Sequence, residues 1–215
     1  MHKKRRFLEG EIYHVFNRSI ARYGIFSNLD NGLRFVQTLD YYNNPINVIN
    51  LGTFLKKNKE YSPDIIFFNK NNNVKYISYC IMPDHYHLLL KVLKENMLSK
   101  YISDVENSFS RFFNIKLKRK GPIWESRFKA VRVKTNEQLL HVSRYIHLNP
   151  TSSNLVEKPE DWIFSSYKSF ITKSEIINKT MNEISISDRD LYKKFIEGNI
   201  DYQRKLKKIR NLFID

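Results

Sequence analysis

Met82-Pro83-Asp84-His85-Tyr86-His87-Leu88-Leu89-Leu90 is the stretch whose reading decides the architecture. The run before it, Val74 to Met82, is β-prone. Pro83-Asp84 supplies turn residues, and His85 to Val92 reads as the returning strand of a hairpin. Side chains alternate along a strand, so His85 and His87 project from one face, about 7 Å apart at their Cα atoms, while Tyr86 and Leu88 face the other way. Two imidazoles so placed can share one ion, or can simply form a hydrogen-bonded pair.

Upstream of the hairpin, Ile12-Tyr13-His14-Val15-Phe16 is a short strand, and Ser27 followed by Asp30, Leu33, Val36 and Leu39 reads as a capped amphipathic helix. From Tyr41 to Asn73 the composition turns to Asn and Lys with Pro45, Gly52 and Pro63 as breakers, which predicts an insertion over about 43–73. Its apolar patches are Ile46 to Leu51 and Ile65 to Phe68. Downstream, Ile102, Val105, Phe109 and Phe112 keep helical spacing between Met97 and Arg119, and Lys100, Arg111, Lys116 and Lys118 add charge. Gly121-Pro122 breaks that helix. Ile123 to Lys134 reads as a strand carrying Arg127, Lys129, Arg132 and Lys134, a candidate nucleic-acid track.

Thr135 with Gln138 forms a capping box for a helix whose buried stripe is Leu139, Val142 and Ile146. Pro150 disfavours a helical residue before it, so the helix is expected to end near Asn149. Beyond Trp162 and Tyr167 come a polar stretch, Thr172 to Asp188, and a helical tail with Arg204, Lys205, Lys207, Lys208 and Arg210. The tail cations read as a solvated face, with phosphate contact as the alternative. Strand, helix, two strands, helix, strand, helix is the order of an α+β, ferredoxin-like split βαβ antiparallel sheet. Helices cover one face, and an added C-terminal helix carries Tyr145.

Thirty-seven Lys+Arg against 22 Asp+Glu leave a formal net charge of +15, which calls for a polyanionic partner, nucleic acid first. No run of about 18 apolar residues exists to span a bilayer, so no membrane partner is expected. Cys80 has no cysteine to pair with, which excludes an internal disulfide and a cysteine-based zinc site and points to the cytoplasm. Met1 to Arg6 reads as a solvated basic arm, because Glu9, Gly10 and Glu11 arrive before any apolar signal core. With six glycines and no P-loop spacing, a nucleotide cofactor is not expected.

Tyr145 and Asn149 stand at i and i+4 on one helix face, a second polar pair that can complete a site with the imidazoles through the amide oxygen. Two nitrogens and one neutral oxygen suit a divalent metal, Mg²⁺ or Mn²⁺, brought in partly by phosphate. A phenol ionises near pH 10, so as a nucleophile toward phosphorus it needs a nearby cation. The bland reading of Tyr145 is a packed helix tyrosine. His14 and His147 read as structural, His141 as locally hydrogen-bonded, Trp162 as packed, and Trp124 as either packed or stacked on a base.

Five blocks carry a resemblance over roughly residues 8 to 170. They are Tyr13-His14-Val15-Phe16-Asn17-Arg18, Tyr79 through Leu90, Trp124-Glu125-Ser126-Arg127-Phe128-Lys129, Arg144-Tyr145-Ile146-His147-Leu148-Asn149-Pro150 and Asp161-Trp162-Ile163-Phe164-Ser165-Ser166-Tyr167. In order and spacing the chain resembles the single-tyrosine HUH transposases, in their REP-associated branch. The resemblance implies a catalytic domain over 1–170 with a basic tail over 171–215. It implies His85 and His87 as metal ligands, Asn149 as the third, and Tyr145 as the nucleophile that takes the 5′-phosphate and frees a 3′-hydroxyl. Single-stranded or hairpin DNA is the implied partner of a monomer or homodimer, with Arg18, Arg111, Arg127, Lys129, Arg132 and Lys134 as DNA-binding candidates. Two departures stand out. Thr151 to Leu155 replaces a Val-Arg-Ala-Gly-Leu-like segment, and Asp84, read here as a turn residue, stands where relatives often have Asn. A DNA- or RNA-binding protein that does not cut, and a phosphodiesterase using water, are the alternatives.

Overall fold

The computed structural model describes residues 6–47, 49–66, 69–172, 183–186 and 188–212. Strands β1 (Ile12–Arg18), β2 (Val74–Ile81), β3 (His85–Val92) and β4 (Lys129–Val133) form one antiparallel sheet in the order β2-β3-β1-β4. With α1 (Leu29–Asn43) between β1 and β2 and α3 (Met97–Lys116) between β3 and β4, this is the split βαβ order expected. A short helix, α2 (Leu51–Lys57), lies within the 43–73 segment. After β4 come α4 (Asn136–Ser152), α5 (Tyr167–Thr172), α6 (Arg189–Glu197) and α7 (Ile200–Leu212).

The Leu88-Leu89-Leu90 run is apolar at every position because β3 is central and covered on both sides, all three leucines being fully buried. Leu88 and Leu90 join Val15, Tyr86, Phe35, Leu39, Ile102 and Phe109 beneath α1 and α3. Leu89 and Cys80 join Leu139, Ile146, Tyr167, Phe170 and Tyr192 beneath α4 to α6. Each fully buried leucine is worth about 1.5–3 kcal/mol, so the hairpin that carries the histidines is among the best-anchored parts of the chain. No helix among the described residues is long and apolar enough to cross a membrane.

Several element boundaries depart from expectation. Helix α1 is capped one residue later than expected, by Asn28, whose side chain accepts from Asp30 N, while Ser27 N closes the preceding turn on Gly24 O. Leu33 is exposed on it, and Phe35, Val36 and Leu39 are the buried stripe. The strand expected over Ile123–Lys134 contracts to β4. Ile123–Glu125 still pair with the end of β1, Ile20 N donating to Ile123 O, Glu125 N to Arg18 O and Ser19 bridging Trp124, but the ladder breaks over 126–128, where Asn17 Nδ2 donates to Ser126 O. Apart from Arg6, the basic arm lies outside the described residues, as do most of Thr172–Asp188, part of the Ile65 to Phe68 patch, and the side chains of Lys208 and Arg210.

Candidate active site

Register places Cys80, His87, Phe16 and Lys129 in one row across all four strands, with Ser78, Leu89, His14 and Val131 in the next. Opposed residues of antiparallel strands share a face, so His14, Phe16, His85, His87 and Lys129 all look toward the side of the sheet that α4 covers. The rings of His85 and His87 lie 5.0 Å apart, nearly perpendicular. Each has its Nδ1 engaged: His85 Nδ1 lies 2.5 Å from Asp84 Oδ1, and His87 Nδ1 lies 2.9 Å from His14 Nε2. Neither ring's Nε2 makes a hydrogen bond among the described residues.

Burial governs the charges here. Desolvation, reinforced by the nearby charges of His14, His85, Lys207 and Arg18, holds His87 well below the usual imidazole range. Desolvation lowers His14 to about 4. Burial pushes Asp84 up, but its hydrogen bond to His85 and the charges of His85 and Arg18 outweigh this and leave the carboxyl below its ordinary value.

Helix α4 delivers the tyrosine. Thr135 Oγ1 accepts from Gln138 N and Gln138 Oε1 from Lys134 N, fixing where the helix starts. Leu139 and Ile146 bury the stripe that sets its rotation. The Tyr145 ring then meets His87 edge to face at 5.3 Å and lies 6.3 Å from His14. His147, two positions on, points into the core, where its nitrogens meet Tyr192 OH at 2.8 Å and Ser166 Oγ at 2.7 Å. That is the structural role expected of it.

The helix does not stop at Asn149. It runs through Pro150 to Ser152, because Ser152 Oγ and Ser153 Oγ donate to Asn149 O and Arg204 Nε of α7 donates to Thr151 O. Tertiary partners thus outweigh the amide that proline lacks. Asn149 is 1% exposed; its Oδ1 accepts from Lys207 Nζ at 3.3 Å, and its buried Nδ2 has no hydrogen-bond partner.

No cluster of three or more His, Cys, Asp or Glu capable of holding a metal exists among the described residues. The candidate donors are the two imidazole Nε2 atoms and, on α4, the Oδ1 of Asn149, which Lys207 engages here. That set fits an open site for a divalent cation completed by phosphate, and does not fit a closed structural zinc site.

Residues 54–149, a span that includes both histidines, the tyrosine and the asparagine, match the family of IS200-like transposases. The chain is 28% identical over 101 residues to a Haemophilus influenzae protein named as a REP-associated tyrosine transposase, covering 42% of this chain and 57% of that protein. This chain thus spans little more than half the length of that curated relative. A solved structure of a REP-associated tyrosine transposase bound to a REP hairpin superposes with a TM-score of 0.53 at 16% identity, covering 82% of this chain and 90% of that one. At that identity the likeness speaks for the fold.

The candidate DNA-binding cations are dispersed. Lys129 is exposed on the row of His87 and Phe16, and Arg127 is exposed just before it. Arg132 pairs in register with Tyr13 on the opposite face, where Glu11 holds it through Nε at 2.6 Å and Nη2 at 2.5 Å. Lys134 is exposed just past the end of β4, and Arg111 is exposed on α3, across the sheet from Tyr145. Arg18 lies 3.9 Å from Asp84.

Trp124 packs, its ring against Tyr86, Phe26, Phe35 and Phe109. His141 is exposed, 3.8 Å from Glu137 one turn away. Sequence reasoning passed over His14 as structural, Asp84 as a turn residue and Lys207 as solvated. The register of β1 against β3 brings His14 to the site and the packing of α7 on α4 brings Lys207, while Asp84 meets the neighbouring His85 from the hairpin turn.

Proposed function

We propose that this chain cuts and rejoins single-stranded DNA, including DNA beside a hairpin, through a 5′-phosphotyrosine link to Tyr145. The observation that carries the reading is the edge-to-face placement of the Tyr145 ring 5.3 Å from that of His87. The match of residues 54–149 to the IS200-like transposases and the hairpin-bound protein of like fold support it. In the reaction the Tyr145 oxygen attacks phosphorus as the P–O3′ bond breaks, and the phenol's proton departs while the freed 3′-oxygen gains one. His85 and His87, with Asn149, would hold Mg²⁺ or Mn²⁺. Such an ion supplies Lewis-acid charge to the phosphate and to the forming phenolate. Lys129 lies where a strand crossing the row of His87 would pass, and Tyr145 serves the histidines of its own chain. We assign this work to residues 1–170 and to the cytoplasm, and regard 171–215 as a tail that reaches the site through Lys207.

One observation favours a second reading, a DNA- or RNA-binding chain that does not cut: the ammonium of Lys207 already occupies the oxygen of Asn149. A labelled single-stranded hairpin incubated with Mn²⁺ separates the two. Cutting yields a denaturant-stable protein–DNA adduct, which Tyr145→Phe loses by a factor on the order of 10³ or more while DNA binding persists. Binding without adduct under either metal supports the second reading, and undiminished cleavage by Tyr145→Phe assigns the attack to water.

A further inference from the structure

Both histidines of the pair have the same ring nitrogen engaged by a different neighbour, and neither neighbour has been assigned a part in the chemistry. Asp84 Oδ1 meets Nδ1 of His85, and His14 Nε2 meets Nδ1 of His87. The two contacts arise independently. Asp84 is fixed by the hairpin turn, where its carbonyl accepts from Ser19 N. His14 sits two residues from Phe16, the register partner of His87, so it reaches the ring diagonally across β1 and β3. Arg18, 3.9 Å from the other carboxylate oxygen, holds Asp84 from its far side.

A carboxylate has no proton to donate in its ionised form, so the proton of the Asp84–His85 contact resides on the imidazole Nδ1. The His14–His87 contact can be satisfied either way round. Only the arrangement in which His87 Nδ1 donates and His14 Nε2 accepts leaves His87 Nε2 with a lone pair, matching His85. A ring nitrogen carrying a proton cannot ligate a metal, so the partner of Nδ1 decides whether Nε2 is a donor or a ligand.

We infer that Asp84 and His14 are positioning residues that lock His85 and His87 in the Nδ1–H tautomer and present two Nε2 lone pairs to one divalent cation. This rests on the reading that the histidine pair holds a metal, and the role of Asp84 then goes beyond shaping the turn. In comparable sites, loss of such an outer partner weakens metal binding by about 10- to 100-fold.

The test has one arm without metal and one with it. Nitrogen-15 NMR of the metal-free chain above pH 8 reports the tautomer of each ring directly. The expected spectrum shows protonated Nδ1 and bare Nε2 for both His85 and His87. Mn²⁺ titration calorimetry is then run on wild type, Asp84→Ala, Asp84→Asn, His14→Phe and His14→Gln. The alanine and phenylalanine variants are expected to lose about 10- to 100-fold in affinity. The Asn and Gln variants, whose amide oxygens still accept from Nδ1–H, are expected to recover most of it. Circular dichroism melting of the same metal-free proteins separates lost positioning from lost folding. A protonated Nε2 on either ring overturns the inference, as does Mn²⁺ affinity in Asp84→Ala and His14→Phe within about twofold of wild type. If wild type takes up no Mn²⁺, the metal reading fails, and the spectrum alone then decides whether the tautomers are locked.

Discussion

At the scale of single residues, the site depends on buried polar groups whose partners come from distant parts of the chain. Glu106 of α3 shows the pattern away from the chemistry. Its Oε1 accepts from Asn17 Nδ2 and from Tyr86 OH, each at 2.7 Å, and so ties α3 to both strands beneath the histidine pair. Burial raises the carboxyl above its ordinary value, although those two hydrogen bonds pull it back down. A carboxyl raised in the folded state contributes stability that is complete below its unfolded value, about pH 4.3, and is lost as pH rises through the folded one. Glu106→Gln keeps an oxygen for both donors and removes the charge. Its stability relative to wild type, measured by urea unfolding, is therefore expected to improve as pH rises from about 4 and to level off once pH passes the folded value. A difference that is flat with pH would show that Glu106 does not titrate in this window. The same logic explains why the site was only half legible. His85, His87, Tyr145 and Asn149 announce themselves by spacing within one element. Asp84 meets His85 through a side-chain geometry that the turn residue's spacing does not announce, and His14 meets His87 only because β1 pairs with β3.

Among elements, strands and helices that bury a clean periodic stripe were readable from the sequence, and their ends were not. The hairpin, the start of α4 and the body of α3 follow local rules of alternation, capping and spacing. The strand expected from Ile123 is broken before Lys129, over 126–128, where the Asn17 side chain of β1 takes the Ser126 carbonyl. The end of α4 failed because α7 supplies partners that no local rule contains. Gly32 is a further case in which packing sets the residue against propensity. A Cβ there would lie 2.3 Å from Phe164 Cε2 and 2.4 Å from its Cζ. Phe164 packs against the α1/α3 core, and its carbonyl accepts from Ile81 N at the end of β2, so the ring has limited room to retreat. Alanine gains about 1 kcal/mol of helix propensity over glycine, and overpacking costs about 1–3 kcal/mol. Gly32→Ala is expected to lose about 1 kcal/mol net in urea unfolding, while Leu33→Ala on the exposed side stays within about 0.5 kcal/mol. A stabilised Gly32→Ala would mean that α1 and Phe164 are less closely packed than their positions indicate.

Over the whole molecule, the formal charge of +15 announces a polyanion without saying where it lies. The sheet divides the cations between two faces, and only one of those faces holds His87 and Tyr145. A cation contributes to binding if it meets phosphate in place of condensed counterions, and each such contact adds about 0.7 to the slope of log affinity against log salt for single strands. Lys129, exposed and in the row of His87 and Phe16, satisfies that condition. Arg132 does not, because Glu11 already engages two of its nitrogens on the other face, and Arg111 stands across the sheet on α3. Single-stranded DNA affinity is expected to fall steeply with added salt. Lys129→Ala is expected to lower that slope by about 0.7, while Arg111→Ala and Arg132→Ala leave it within error. Fluorescence anisotropy across a salt series measures all four proteins alike. Equal losses for the three variants would show that the charge acts as a diffuse field around the whole chain, and a loss confined to Arg111 or Arg132 would put the DNA on the face away from the tyrosine.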